Sequence, residues 1–281
     1  MTSTSIPSDF SMSFRISLPQ ELVNEVIDNL SDDVDLEACS LVSGSWAYPA
    51  RSRLFHHVRL CSAEAEDWLS RPTESVQRMA PHIVKFELSD YWTRPLTAPA
   101  FHWGGSDSLL PRLITSLTSS PVQSLRIESF YTGGFNKSTL EQCFLPICHS
   151  LRSLELNDLT ACPDASTYLL SLFPNLDDIH IGEVVPISTQ PEWDGCGIKH
   201  SPRLSGVLRF SGLTATDNSG LFAGITSLSP RFHAISPGRI TDQNWNSVRE
   251  LMESCSETVE SVPLVWWSST GVCVAICTGN F

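Results

Sequence analysis

The amino-acid sequence predicts an α/β protein in which a short helical segment precedes a solenoid of strands and returning helices. Short segments with apolar residues at their first, fourth and sixth positions recur 25 to 39 residues apart. Apolar stretches with helical spacing lie between them, such as SLLPRLITSLTSS before Val122. A period of roughly 20 to 50 residues is typical of solenoids, because one strand–helix unit buries its apolar face only against its neighbours.

The first 15 residues precede this pattern. They are rich in serine and threonine, and they have neither a basic region nor an apolar run long enough for a signal peptide. We therefore expect residues 1–15 to form a disordered arm.

Three short helices are predicted within residues 16–58. The first should begin at Leu18-Pro19, because proline is tolerated in a first helical turn, and its apolar positions are Leu22, Val26, Ile27 and Leu30. The second can be capped by Ser31 or Asp33, and its apolar positions are Leu36, Cys39, Leu41 and Val42. The third contains Trp46, is expected to be limited or bent by Pro49, and should end at His56-His57.

The order of these residues closely resembles the F-box: Leu-Pro-x-Glu-Leu, a Val-Ile pair, Leu-Val-Ser and then a tryptophan. The resemblance covers residues 16–58. It implies a segment that docks on a Skp-type adaptor and so joins a cullin–RING ubiquitin ligase, while the rest of the chain selects the protein to be ubiquitinated. The alternative is a generic three-helix unit in which the same residues are plain core.

The resemblance also divides the residues of the helical segment by role. It implies an adaptor-binding face made of Leu18, Pro19, Leu22, Val26, Ile27, Leu41, Val42 and Trp46. It implies that the helices are held together by Leu30, Leu36, Cys39, Leu54 and Phe55.

Residues 59–80 are expected to be a linker or helix, and residues 81–264 the solenoid. The copies of the strand pattern begin at Ile83, Val122, Leu151, Leu176, Ser205, Phe232 and Val259. This region resembles an irregular leucine-rich repeat, a common companion of the F-box in its fungal members. It departs from the regular repeat because no Asn or Cys recurs after the strands. The aromatic-rich stretch 91–108 interrupts it, as a loop that covers the edge of the solenoid or contacts a ligand.

Strand positions that alternate with the buried ones should point outward and are candidates for target binding. They are Arg126, Glu128, Glu155, Asn157, His180 and Arg209. Because their charges are mixed, the sequence does not identify the target, and a merely solvated face is the alternative.

Charge and cysteine content limit the possible partners and compartments. The 31 acidic and 18 basic side chains give a net charge of -13, which disfavours binding to nucleic acid or anionic membranes. Nine scattered cysteines fit reduced thiols and therefore the cytoplasm or nucleus. The tail 265–281 carries no charge, and serines and a glycine split its apolar residues, so we expect a capping strand, an exposed apolar tail or a misread gene end.

Catalytic motifs are not found in the sequence. It contains no Gly-x-Ser-x-Gly, no Walker loop, no His-Glu-x-x-His and no dinucleotide fingerprint. Cys143 and Cys148 are interpreted as core thiols, since no second pair of metal ligands accompanies them. The sequence therefore predicts a non-enzymatic ubiquitin-ligase receptor without cofactor or metal. A leucine-rich-repeat-like interaction scaffold outside ubiquitination is the alternative, and an enzyme ranks third.

Overall fold

The chain divides into two compact units, residues 1–54 and 55–281. The computed structural model describes residues 18–89, 103, 109–132, 135–187, 204–211, 218–240, 244–268 and 271–278. The predicted arm, residues 1–15, lies outside these ranges. The predicted α/β class is confirmed, with ten α-helices and a largely parallel sheet in the described ranges.

The small unit consists of three short helices: α1 (Gln20–Asn29), α2 (Asp33–Val42) and α3 (Gly44–Leu54). The Asp32 side chain caps α2 by accepting a hydrogen bond from the Val34 N–H at 2.9 Å. The buried core contains Val23, Ile27, Leu36 and Ala50, and the side chains packed around it are Leu30, Cys39, Trp46 and Leu54. So small a core leaves much of the apolar surface of the three helices uncovered.

Helix α3 continues through Pro49 to Leu54, so Pro49 does not end it, and it stops two residues before the predicted end at His56-His57. A proline inside a helix leaves the carbonyl four residues earlier without its usual N–H partner. Here that carbonyl belongs to Ser45, and the Gln20 side-chain amide donates a hydrogen bond to it at 3.0 Å. The partner supplied by α1 therefore offsets part of the cost of Pro49.

The large unit alternates strands with helices along the chain. Its strands are β1 (His57–Leu60), β2 (Lys85–Leu88), β3 (Ser124–Glu128), β4 (Ser153–Asn157), β5 (Leu159–Ala161), β6 (Asp178–Ile181), β7 (Val184–Pro186), β8 (Ser205–Phe210), β9 (Arg231–Ser236), β10 (Arg239–Ile240), β11 (Ser261–Ser268) and β12 (Gly271–Thr278). Its helices are α4 (Ser62–Ser70), α5 (Thr73–Met79), α6 (Leu110–Ser116), α7 (Lys137–Phe144), α8 (Pro163–Ser171), α9 (Ser219–Ser227) and α10 (Trp245–Ser254), with a 3₁₀-helix at Ala80–His82.

Ten strands form one sheet in the order β1-β2-β3-β4-β6-β8-β9-β11-β10, with β12 beside β11. Its described pairings are parallel except for β11 with β12. A second, two-stranded sheet pairs β5 with β7. The pairings of the main sheet between residues 80 and 240 are all parallel within the described ranges, so no antiparallel order contradicts the predicted strand arrangement there.

The buried face of the main sheet carries two rows of apolar side chains in register. One row is Phe86, Leu125, Leu154, Ile179, Leu208 and Ile235, and the other is Leu88, Ile127, Leu156, Ile181 and Phe210. These are the fourth and sixth positions of the sequence pattern. The alternation of buried and outward residues therefore places every intervening side chain on the opposite face.

The structure differs from the prediction between residues 55 and 60. His57 does not end a helix but begins β1, which pairs in parallel with β2 where a linker or helix was expected. Phe55 packs against the core of the large unit, not among the helices of the small one. Val58 and Leu60 are buried, so β1 is an integral strand of the sheet.

Trp103 is the one described residue of the predicted loop 91–108. It is fully buried in the core of the large unit, and its backbone N–H donates to the Ser129 carbonyl at 3.0 Å. This residue therefore packs within the large unit, as the covering alternative requires. The other loop residues lie outside the described ranges.

Candidate functional site

The small unit exposes large apolar side chains on α1 and at the end of α2. Leu18, Leu22, Val26, Leu41 and Val42 are all exposed, and Leu41 reaches 82%. On α1, Leu22 and Val26 form one stripe while Val23 and Ile27 form the adjacent buried stripe, since residues four apart lie on one side of a helix. A helix that is apolar on more than its core-facing stripe has surface available for a partner.

Two residues of the implied adaptor face are placed elsewhere. Ile27 is fully buried in the core of the small unit, because the spacing of Val23 and Ile27 turns that stripe toward α3. Trp46 is half-buried and packs against the same core. Pro19 is exposed at the start of α1. The exposed apolar set therefore consists of Leu18, Leu22, Val26, Leu41 and Val42, joined by Pro19.

The outward face of the main sheet carries a row of charged residues in exact strand register. The residues that lie side by side on neighbouring strands are Arg59, Glu87, Arg126, Glu155, His180 and Arg209. We call these six residues the charged row. With strands about 4.8 Å apart, the row spans about 24 Å.

Glu87 lies between Arg59 and Arg126 in the charged row. Its carboxylate contacts the Arg59 Nη2 at 3.0 Å, the His57 Nε2 at 3.2 Å and the Arg126 Nε at 3.8 Å. The Glu87 side chain is only 7% exposed although it lies on the outward face, because these partners cover it. A carboxylate so covered requires its cations, since an unpaired buried charge is costly.

Arg126 joins three glutamates. Its Nη2 lies 2.8 Å from the Glu128 Oε1, and its Nε lies 3.5 Å from the Glu155 Oε1 and 3.8 Å from Glu87. The Glu128 carboxylate also accepts a hydrogen bond from the Ser89 hydroxyl. Arg126 therefore holds the outward side chains of β2, β3 and β4 in one arrangement.

Glu155 is shared by β3, β4 and β6. It accepts a hydrogen bond from the Asn157 Nδ2 at 3.0 Å and lies 3.3 Å from the His180 Nδ1. The Asn157 side chain occupies space that a residue larger than glycine at 182 would need, since a Cβ there would lie 2.5 Å from its Oδ1. These contacts fix the rotamers of the row, so the face presents preorganised polar groups.

Glu155, His180 and Ser211 form a relay with the order of a catalytic triad. The His180 Nε2 lies 2.7 Å from the Ser211 Oγ while its Nδ1 faces Glu155. A triad also needs N–H donors for an oxyanion. The Ser211 N–H is already donated to the Ile181 carbonyl at 3.0 Å, and Ser211 is exposed. The His180 ring pairs with both Glu155 and Ser211, so all three side chains have hydrogen-bonding partners, and these contacts need no catalytic role to explain them.

Arg209 ends the charged row at β8 and contacts the Asp178 carboxylate. Both side chains are about half exposed, so this ion pair is the most accessible of the row. All six candidate target-binding residues therefore lie on the same outward face. Sequence reasoning missed His57 because it placed this residue at the end of the third helix, and Arg59 because it placed this residue in a linker or helix, although His-Val-Arg-Leu has the alternation of a strand.

Comparison of the whole chain with protein-family models finds no match, and comparison with curated proteins finds none either.

Several cysteine thiols are buried in the large unit. Cys143, Cys148 and Cys255 are buried, and burial raises the pKa of each thiol.

No group of His, Cys, Asp and Glu suited to holding a metal ion is found among the described residues. None of the helices in the described ranges has the length and apolar character needed to cross a bilayer.

Proposed function

We propose that this protein is the substrate-recognition subunit of a Skp–cullin–F-box ubiquitin ligase. In this proposal the small unit is an F-box that docks on the Skp-type adaptor, and the large unit is an irregular leucine-rich-repeat-like solenoid that binds the target. The observation that carries it is the exposed apolar set, Leu18, Leu22, Val26, Leu41 and Val42, in a helical unit whose order of residues resembles the F-box.

The energetic argument concerns the size of the small core. Four buried residues hold three helices together, while the five side chains of the exposed apolar set remain in water, as do Val34 and Tyr48. Fully burying one such side chain gains about 1.5–3 kcal/mol. A partner that covers the exposed apolar set therefore gains free energy that offsets the cost of association.

The charged row supports the second half of the proposal. Its side chains are held by ion pairs and hydrogen bonds across strands β1 to β8, so a target meets them with little further loss of rotamer freedom. Charge pairs at the rim of an interface contribute to orientation and specificity more than to affinity. The row would therefore select a target whose charges complement it.

Two exposed residues on α2 provide a matched test of adaptor docking. Leu41→Ser removes a member of the exposed apolar set, whereas Val34→Ser removes another exposed apolar side chain outside it, 69% exposed against 82% for Leu41. With a purified Skp-type adaptor, we expect Leu41→Ser to weaken binding about tenfold or more and Val34→Ser to leave it nearly unchanged. Equal binding of Leu41→Ser and the wild type, at unchanged thermal stability, would contradict the proposal.

Two arginines provide the corresponding test of target binding. Arg209 belongs to the charged row and pairs with Asp178. Arg152 directly precedes β4, lies outside the row and pairs with Asp177. Affinity purification with mass spectrometry should recover the target with the wild type and with Arg152→Ala but less of it with Arg209→Ala. Adaptor recovery should be equal in all three. If the two arginine variants recover the same proteins in the same yield, the charged row is not the target site.

A further inference from the structure

A cleft on the helical layer of the large unit is used by neither half of the proposed function. It lies between helices α4, α5, α6 and α7 and has a volume of about 790 Å³. Small-molecule sites occupy roughly 300–1,000 Å³ and combine apolar walls with a few polar groups. The cleft therefore has the size of a small-molecule site.

The apolar wall of the cleft is held rigidly. Trp68 is buried, and its Nε1 donates to the Ser116 Oγ at 3.1 Å, while that hydroxyl donates to the Leu113 carbonyl at 2.6 Å. Val76 from α5 and Cys143 from α7 complete the wall. Burial raises the pKa of the Cys143 thiol, so this side of the cleft is neutral and apolar.

The charged groups that line the cleft are two arginines, in a protein of net charge -13. Arg71 pairs with Asp67 at 3.1 Å, and its guanidinium lies 5.7 Å from the centre of the Trp68 ring. Arg112 is exposed at the rim and makes no ion pair within the described part of the chain. A lining with an uncompensated cation and no carboxylate favours an anionic ligand.

We propose that this cleft binds a small amphipathic organic anion, with its apolar body against Trp68 and Val76 and its anionic group against Arg112. The Thr115, Thr118 and Thr139 hydroxyls at the same opening already donate to the Pro111 carbonyl, the Thr115 carbonyl and the Asn136 side chain, so Arg112 is the donor offered to the anion. An inorganic anion would not use the apolar wall, and a neutral apolar molecule would not use Arg112. The site is independent of the exposed apolar set and the charged row.

Anilinonaphthalene sulfonate, a fluorescent aromatic anion, is the probe, and neutral phenylnaphthylamine is its matched comparison. The wild-type full chain should bind the anionic dye at one saturable site. Arg112→Gln should weaken that binding about threefold to fivefold, the value of an exposed ion pair, and leave the neutral dye unaffected. Arg78→Gln on α5 is the matched control, because Arg78 is exposed and does not line the cleft.

Two variants test the location of the dye. Thr115→Trp on α6 and Gln77→Trp on α5 each place an indole in the opening from an exposed position. Both should abolish saturable binding of both dyes while the protein unfolds at the wild-type temperature. Undiminished binding in both filled variants would place the dye elsewhere and overturn the proposal, as would equal affinity of Arg112→Gln and the wild type for the anion.

Discussion

The side-chain amide of Gln20 donates a hydrogen bond to the backbone carbonyl of Ser45, 3.0 Å away. That carbonyl has no helical partner because Pro49, four residues later, has no N–H. The hydrogen bond thus joins the first turn of α1 to the first turn of α3 at the point where the proline weakens α3.

Removing this donor should destabilise the small unit. We expect Gln20→Ala to lower the free energy of opening α3 by about 1 kcal/mol, because a polar group loses its partner. Hydrogen exchange of the α3 amides, followed by mass spectrometry on the full chain, measures that free energy.

A second substitution makes the prediction specific. Pro49→Ala restores the N–H that can pair with Ser45, so in that background Gln20→Ala should cost clearly less. Asn24→Ala removes only the other acceptor of Gln20 and is the control. Equal costs of Gln20→Ala in both backgrounds would show that the Ser45 contact contributes nothing.

Truncation of Trp46 should affect stability more directly than binding. Trp46 is half-buried against the core of the small unit, so Trp46→Ala should cost about 2–4 kcal/mol, somewhat below the value for a fully buried tryptophan. Circular dichroism and adaptor binding should be measured on the same variant. Wild-type stability together with lost binding would instead place Trp46 in the adaptor face.

Apolar periodicity predicted the class and most of the strands, because buried positions in strands alternate and those in helices follow helical spacing. The Phe86 and Leu88 pair on β2 illustrates this, since both are buried as the spacing requires. The same periodicity did not distinguish Ile27 from Val26, because adjacent stripes of a short helix are both apolar and only tertiary packing decides which one is buried.

The charged row was predicted only as a set of outward positions. Its pairings depend on strand register, which is fixed by the lengths of the connecting segments and by the packing of the apolar rows. Glu87 and Arg59 could not be recognised as partners while β1 was interpreted as a linker. A short edge strand such as β1 has only two buried residues, so its sequence has too few alternating positions to be distinguished from the end of a helix.

Loss of the Arg126 side-chain charge should destabilise the large unit. Arg126→Met leaves Glu87, Glu128 and Glu155 close together without their shared cation, and we expect a loss of about 1–3 kcal/mol in urea unfolding. Arg152→Met removes an exposed ion pair with Asp177 and should cost under about 0.5 kcal/mol. Similar costs for the two variants would mean that the charged row does not stabilise the sheet.

The boundary between the units predicts where the chain can be cut. Residues 55–281 retain β1, whereas residues 61–281 lose it together with Val58 and Leu60, whose burial is worth about 1.5–3 kcal/mol each. We expect the chain that begins at Phe55 to unfold cooperatively and the chain that begins at Cys61 to be markedly less stable. If the two shortened chains unfold at the same urea concentration, β1 contributes little to the stability of the fold.

Buried thiols predict a dependence of stability on alkaline pH. Because burial raises the pKa of Cys143, the folded protein keeps a proton that the unfolded chain releases above about pH 8.5. The free energy of unfolding should therefore fall as pH rises above that value, with Cys143 contributing up to about 1.4 kcal/mol per pH unit. Cys143→Ala should show a shallower decline in urea titrations, and an unchanged slope would contradict the assignment.

The alternation of sign along the charged row restricts how this region can lengthen or shorten during evolution. Arg59, Glu87, Arg126 and Glu155 lie on successive strands in register. Deleting the unit of Arg126 would set Glu87 beside Glu155, and duplicating it would set two arginines side by side, which destabilises a sheet. A gain or loss of two adjacent units preserves the alternation, so it should destabilise the sheet less than the gain or loss of one.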